Sequence, residues 1–107
     1  MPELVVLSPP LTGLTFGLGR PWVTIGCSVG NSFQLVEPSI SGRHCEVQLR
    51  GNELAVRDLR SANGTFVHGM MITEAVLKPG EILRLGDVEL RFKFTAPAVF
   101  RGVSPAV

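Results

Sequence analysis

Hydrophobic and polar residues alternate along several short segments of this chain. In DVELRFKF (residues 87–94), every second residue is apolar and charged residues fill the positions between them. HCEVQLR (44–50) has the same period, with Cys45 at an apolar position. Because successive side chains of a β-strand point to opposite faces, this period predicts strands with one buried face. No long stretch has the period of a helix.

Turn residues separate these segments. Gly51 and Asn52 lie between HCEVQLR and LAVRDL (54–59), which predicts a β-hairpin. Further strands are predicted in ELVVL (3–7), LTFGL (14–18), WVTIG (22–26) and EILRLG (81–86). Many short strands with frequent turns predict an all-β sandwich, in which the first and last strands could pair.

The chain is expected to contain one domain and a tail. Residues 1–94 have the strand and turn pattern, and this length allows one hydrophobic core. Residues 95–107, TAPAVFRGVSPAV, are rich in Pro, Ala and Val and do not alternate. They are interpreted as a C-terminal tail or linker, beyond which further domains of the same polypeptide could follow.

Composition and charge narrow the function classes. The formal net charge is +1, which gives no long-range attraction to nucleic acid or to a membrane surface. The N-terminal segment lacks the basic region of a secretory signal, and no apolar stretch is long enough to cross a membrane. A cytoplasmic protein is therefore expected, with Cys27 and Cys45 as reduced thiols and a disulfide between them as the alternative.

A hydrolase site could use Ser41, His44 and Asp58. Ser41 and His44 are three residues apart, so a turn could bring a nucleophile and a base together. No G-x-S-x-G elbow marks a nucleophile, however, and His44 could simply bind loop backbone and fix the turn. The chain is interpreted as a non-enzyme, and the hydrolase is kept as a rival hypothesis.

The residues that could bind a metal ion are Cys27, His44, Cys45 and His68. Their spacing matches no zinc motif. His44 and Cys45 are neighbours on one predicted strand, so their side chains would point to opposite faces. Cys45 fits a small core position instead, and neither a metal nor another cofactor is expected.

Three polar loops remain as the candidates for function: GCSVGNS (26–32), EPSISGRH (37–44) and RSANGTFVHG (60–69). Loops at one end of a sandwich form a shared surface. Their small polar residues, with Arg43 and Arg60, suit a ligand rich in hydrogen-bond acceptors, such as a phosphate or an extended peptide. The alternative is that Asn63 and Thr65 only close their own turn. Phe66, like most of the phenylalanines, is expected to enter the core.

Four motifs resemble those of the forkhead-associated (FHA) domain family: TIG (24–26), SISGRHCEV (39–47), DLRSANGTFVHG (58–69) and LKPGEILRLGDVELRF (77–92). The resemblance runs from about Pro2 to Phe94, and the order and spacing of the motifs make it specific. It implies a sandwich of about eleven short, mostly antiparallel strands with binding loops at one end. Family members bind phosphothreonine peptides through those loops and are not enzymes.

The resemblance assigns roles to individual residues. Ser41 matches the serine whose hydroxyl bonds the phosphate, and Asn63 matches the asparagine that bonds the peptide backbone. His44 matches the histidine that braces the serine loop. The other positions that match structural residues of the family site are Gly26, Gly64 and Thr65.

Four positions depart from the family pattern. Cys27 stands where the family usually has an arginine that contacts phosphate or peptide. Gly42 stands where Arg or Asn is frequent and can also touch phosphate. Ala62 replaces a frequent threonine, and His68 replaces the second asparagine of the loop motif. These positions are expected to line the phosphopeptide site with a changed chemistry.

The resemblance implies a protein-interaction module that binds a threonine-phosphorylated partner in signalling, with weakened affinity. Arg43 and Arg60 are near enough in sequence to replace the missing charge, and His68 could add a charge at mildly acidic pH. The alternative is a degenerate domain of this family that mediates phosphate-independent or homotypic interactions. Cys27 and Gly42 favour that alternative.

Overall fold

The computed structural model describes residues 1–94, which form eleven β-strands and no helix. The strands are β1 (Pro2–Val6), β2 (Thr15–Gly17), β3 (Val23–Gly26), β4 (Phe33–Gln34), β5 (Cys45–Arg50), β6 (Glu53–Asp58), β7 (Thr65–Val67), β8 (Met70–Met71), β9 (Glu74–Leu77), β10 (Ile82–Leu85) and β11 (Val88–Phe94). The predicted tail, residues 95–107, lies outside the described residues. Nowhere in residues 1–94 is there a helix that could cross a membrane.

The strands form two sheets that pack face to face. One sheet has the order β2-β1-β11-β10-β7-β8, and the other has the order β4-β3-β5-β6-β9. Within residues 1–94, the pair β3–β4 is parallel and the remaining pairs are antiparallel. β1 pairs with β11, from Pro2 opposite Phe94 to Val6 opposite Leu90. The predicted all-β sandwich and the pairing of the first and last strands are confirmed.

The core lies between the inner faces of the two sheets, and strand alternation builds it. On β11, Val88, Leu90 and Phe92 are buried and the charged residues between them are exposed. Burying one such side chain stabilises the fold by about 1.5–3 kcal/mol. Cys45 is also fully buried, as the pattern predicted.

The predicted hairpin connects β5 to β6. Arg50 lies opposite Glu53, so the turn between them has two residues. Gly51, the first of these, has a φ of 62°, a conformation that glycine adopts without the steric cost that other residues carry.

The phenylalanines are less buried than the sequence predicted. Of those in residues 1–94, Phe92 alone is fully buried. Phe66 points away from the core because both of its neighbours on β7 point inward, and the guanidinium of Arg84 lies 3.9 Å from its ring centroid. The prediction that Phe66 enters the core was therefore wrong. Phe16 of β2 and Phe33 of β4 stack with 4.6 Å between centroids, which links the edges of the two sheets.

Candidate functional site

Three loops meet at one end of the sandwich, which we call the loop end. They are residues 27–32 between β3 and β4, residues 35–44 between β4 and β5, and residues 59–64 between β6 and β7. The Cys27 N–H donates to the Ser41 carbonyl at 3.0 Å, and the Ser28 N–H donates to the Gly42 carbonyl at 3.2 Å. The Asn31 side-chain amide also donates to the Gly42 carbonyl, at 2.6 Å. These bonds hold the first two loops together.

Gly26 ends β3 beneath this contact between loops. A Cβ at this position would overlap the carbonyl oxygen of Gly42. The backbone of residues 41–42 can approach β3 only because Gly26 has no side chain. The glycine thus sets the distance between the first two loops.

His44 joins the second loop to the third. Its ring is fully buried. The Ser41 N–H donates to Nδ1 at 3.1 Å, and Nε2 lies 2.9 Å from the carbonyl oxygen of Gly64. Because the first partner is a donor and the second an acceptor, the ring is neutral with its proton on Nε2. His44 therefore ties the backbone before Ser41 to the backbone beside Asn63.

Ser41 and Asn63 reach across the same boundary from opposite sides. The Ala62 N–H donates to Oγ of Ser41 at 2.9 Å, and Nδ2 of Asn63 donates to the Ser39 carbonyl at 2.9 Å. The Ser41 hydroxyl keeps its own proton for an external acceptor. Asn63 is exposed, and its Oδ1 has no partner among residues 1–94, so it can accept from a peptide N–H.

Asp58 organises the 59–64 loop, a role that the sequence interpretation missed. Its Oδ1 accepts from the hydroxyls of Ser61 at 2.6 Å and Thr65 at 2.7 Å, and its Oδ2 accepts from the Ser61 N–H at 3.2 Å. The Gly64 N–H in turn donates to Oγ of Ser61 at 3.0 Å. Burial alone would raise the pKa of Asp58, but the bonds from Ser61 and Thr65 and the nearby His44 outweigh it and lower the pKa. The spacing of Asp and Ser three residues apart is typical of such a turn and was the available signal.

Ser39 connects the loop end to the turn between β10 and β11. Its carbonyl accepts the Asn63 amide, and its hydroxyl accepts the Asp87 N–H at 2.9 Å. Gly86 has a φ of 58° and lies directly against Ser39. Neither Ser39 nor this turn was predicted, because the bonded residues are 48 positions apart in sequence.

The four positions that carry or lack the phosphate-binding charge differ in their surroundings. Cys27 is partly buried and packs against the hydrophobic core. Gly42 leaves room beside the first loop, where an added Cβ would approach only the hydroxyl of Ser28. Arg43 and Arg60 are exposed, and neither has a hydrogen bond or ion pair within residues 1–94. Both guanidinium groups are available to a ligand.

His68 does not lie with the other predicted site residues. It forms the two-residue turn between β7 and β8 with Gly69, and both have positive φ. β7 separates this turn from the 59–64 loop, and Nε2 of His68 lies 3.1 Å from a carboxylate oxygen of Glu81. The segment 60–69 is therefore a loop, a strand and a turn, and only the loop belongs to the loop end.

The arrangement of Ser41 and His44 is unlike that of a nucleophile and its base. His44 accepts from the Ser41 backbone and donates to the Gly64 carbonyl, so neither ring nitrogen meets Oγ of Ser41. Asp58 bonds Ser61 and Thr65. The side chains instead hold loop backbone in place.

The described part of the chain contains no cluster of three or more His, Cys, Asp or Glu residues that could hold a metal ion. Cys45 lies in the core, where burial first, and then the charges of Asp58 and Glu46, raise the pKa of its thiol strongly. A neutral buried thiol is a packing group and a poor metal ligand.

Comparison with known proteins identifies the family. The FHA domain family profile matches residues 23–86. The glycogen accumulation regulator GarA of Mycolicibacterium smegmatis is 35% identical over 89 residues, which cover 83% of this chain and 56% of GarA. FhaB of Mycobacterium tuberculosis, an FHA domain-containing protein, is 37% identical over 91 residues, which cover 82% of this chain and 59% of FhaB. The chain thus spans somewhat more than half the length of these relatives.

The fold gives the same result. One solved structure, from a structural and functional analysis of phosphothreonine-dependent FHA domain interactions, superimposes with a TM-score of 0.80 at 28% identity. The match covers 89% of this chain and 97% of that one.

Proposed function

This chain belongs to the FHA domain family, and from that premise we propose that its loop end binds a phosphothreonine-containing segment of a partner protein. The protein acts by recognition in signalling and catalyses no reaction. One observation carries the proposal: Ser41 and Asn63 stand side by side on loops that His44 and Asp58 hold rigidly from within. FHA interactions that depend on phosphothreonine are the subject of the solved structure described above.

The donors of the loop end suit a phosphate and the peptide backbone beside it. The Ser41 hydroxyl donates to a phosphate oxygen, and the Asn63 side chain bonds the peptide main chain. The loops are already tied together before the ligand arrives, so binding loses little conformational freedom. A hydrogen bond to a charged group contributes about 1.5–3 kcal/mol, which corresponds to about ten- to a hundredfold in affinity.

Arg43 and Arg60 supply the positive charge that Cys27 cannot. A phosphothreonine carries about −1.5 to −2 charges near neutral pH, so a site without any cation would bind it weakly. Both arginines flank the bonded loops, are exposed and have no competing carboxylate partner within residues 1–94. Arginine also matches phosphate with two parallel hydrogen bonds.

Titration calorimetry with matched phosphothreonine and unphosphorylated peptides tests this proposal. We expect binding of the phosphorylated member only, and a loss of affinity in Arg43→Ala or Arg60→Ala. Arg20→Ala is the matched control, because Arg20 is also exposed but follows Gly19, which bonds Leu49 near the opposite end of β5. Cys27→Arg should tighten binding. Unchanged affinity in both Arg43→Ala and Arg60→Ala would disprove the replacement of charge.

A second candidate function is a protein interaction that does not need phosphate. The packing of Cys27 against the core favours it, because no cation extends from that position toward the ligand. Equal binding of phosphorylated and unphosphorylated peptides, or self-association of the protein, would support this candidate over the first.

Two properties of the protein complete the proposal. A cytoplasmic location agrees with two free thiols, Cys27 and Cys45, because reducing compartments keep cysteines unpaired. Cell fractionation tests it, and recovery of the protein outside the cytoplasm would contradict it. Residues 1–94 are proposed to fold as a unit, so truncation after Phe94 should leave the melting temperature unchanged.

A further inference from the structure

Beside the loop end, the outer face of the six-stranded sheet carries exposed apolar surface. Met70 and Met71 of β8 are 69% and 67% exposed. Met71 lies opposite Phe66 of β7, and Arg84 of β10 lies opposite Phe66 on the other side. These three side chains form a row across three strands, which we call the Met71 row (Met71, Phe66 and Arg84).

The Met71 row touches the loop that carries Asn63. A Cβ at Gly64 would lie 3.0 Å from the methyl carbon of Met71 and 3.0 Å from a ring carbon of Phe66. Gly64 directly follows Asn63, the residue proposed to bind the peptide backbone. An extended peptide advances by about 3.3 Å per residue, so a residue about two to four positions from the phosphothreonine reaches Met71.

The backbone of Met71 lies on an open sheet edge. β8 is the outermost strand of its sheet. The Ile72 N–H donates to the Thr65 carbonyl, and bonded and non-bonded pairs alternate along an antiparallel ladder. The N–H and C=O of Met71 therefore point away from β7, where an extended peptide can add main-chain hydrogen bonds.

Space and chemistry at this edge suit an aliphatic side chain. Phe66 and Arg84 line an open groove of about 390 Å³. The Arg84 guanidinium covers part of the Phe66 ring, so Met71 provides most of the free apolar surface. Methionine is flexible and polarisable, and it adapts to differently shaped apolar partners.

We propose that the phosphorylated partner segment continues past Asn63 along β8 and places an aliphatic side chain on Met71 and Phe66. This contact selects among phosphothreonine segments by one flanking residue. The inference rests on the proposed function, because the phosphothreonine at the loop end sets the position of the segment. Met71 is then a specificity-determining residue that does not contact phosphate.

A peptide library with a fixed phosphothreonine and randomised flanking positions tests the inference. The variant is Met71→Gln, and the matched control is Met70→Gln. The two methionines are neighbours on one short strand with nearly equal exposure, but their side chains point to opposite faces. A thermal melt checks that both variants are folded.

We expect the wild-type protein to prefer an aliphatic residue over a polar one at one flanking position by about three- to tenfold. Met71→Gln should remove that preference and keep the requirement for phosphate, while Met70→Gln should keep both. The inference is overturned if the wild type has no aliphatic preference, if Met71→Gln retains it, or if Met70→Gln loses it equally. If the wild type binds no phosphopeptide, the proposed function fails and this inference fails with it, whereas failure of the inference alone leaves phosphate dependence intact.

Discussion

Replacing His44 with alanine tests the account of how the loop end is held together. The ring is fully buried and bonds the Ser41 N–H and the Gly64 carbonyl. In His44→Ala, both backbone groups lose their partner and a cavity replaces the ring. Leaving a buried polar group without a partner costs about 1–3 kcal/mol, and the cavity adds to this. We expect the free energy of unfolding to fall by about 3–5 kcal/mol.

Chemical denaturation with linear extrapolation to water measures this loss. The matched control is His68→Ala, because His68 is exposed and bonds only Glu81 at the surface. An exposed ion pair contributes about 0–1 kcal/mol, so the control should lose little stability. Domains of this size are stable by about 5–15 kcal/mol, which leaves His44→Ala measurable.

His44→Ala should also weaken phosphothreonine binding, because the loops of Ser41 and Asn63 are no longer tied to each other. A loss of stability below about 1 kcal/mol, or a loss equal to that of His68→Ala, would refute the bracing role of the ring. In that case the loops are held mainly by the bonds of Asp58 and Ser39.

Three further predictions follow from local geometry. Gly26→Ala should cost more than about 2 kcal/mol, because its Cβ overlaps the Gly42 carbonyl, whereas Gly42→Ala approaches only a movable hydroxyl and should cost less than about 1 kcal/mol in the same denaturation assay; equal costs would contradict this. The folded pKa of Asp58 is below its ordinary value of 3.8, so its contribution to stability is complete above that pH and disappears as the pH falls through the folded pKa. Stability measured against pH should therefore fall less steeply below about pH 4 in Asp58→Asn than in the wild type, and parallel curves would count against it. His68 has a φ of 55°, which asparagine tolerates better, so His68→Asn should raise stability by about 0.5 kcal/mol, and a lower melting temperature would show the reverse.

The sequence pattern predicted the long strands because their own side chains alternate. β11 alternates over seven residues, and its inward face is buried as expected. β4 and β8 have two residues each, and such segments have no period to detect. β9 lies at a sheet edge, where exposed Val76 breaks the expected contrast between apolar and polar positions. These strands form because neighbouring strands offer hydrogen bonds, which only the three-dimensional structure shows.

The candidate site was predicted in part for the same reason. The clustering of polar loops followed from the sandwich, and the resemblance to FHA domains assigned Ser41 and Asn63. The anchoring bonds were missed where they connect distant residues, as between Ser39 and Asp87. His68 was grouped with Asn63 because the two are close in sequence, but β7 carries the chain away from the loop end between them.

The central claim is that Ser41 recognises the phosphate of a phosphothreonine. A double-mutant cycle tests it most directly, with dissociation constants for wild type and Ser41→Ala, each measured with a phosphothreonine peptide and its unphosphorylated form. The account predicts that phosphorylation tightens wild-type binding by at least about tenfold and that Ser41→Ala removes most of this gain. Equal affinities of the wild-type protein for the two peptides would contradict the claim.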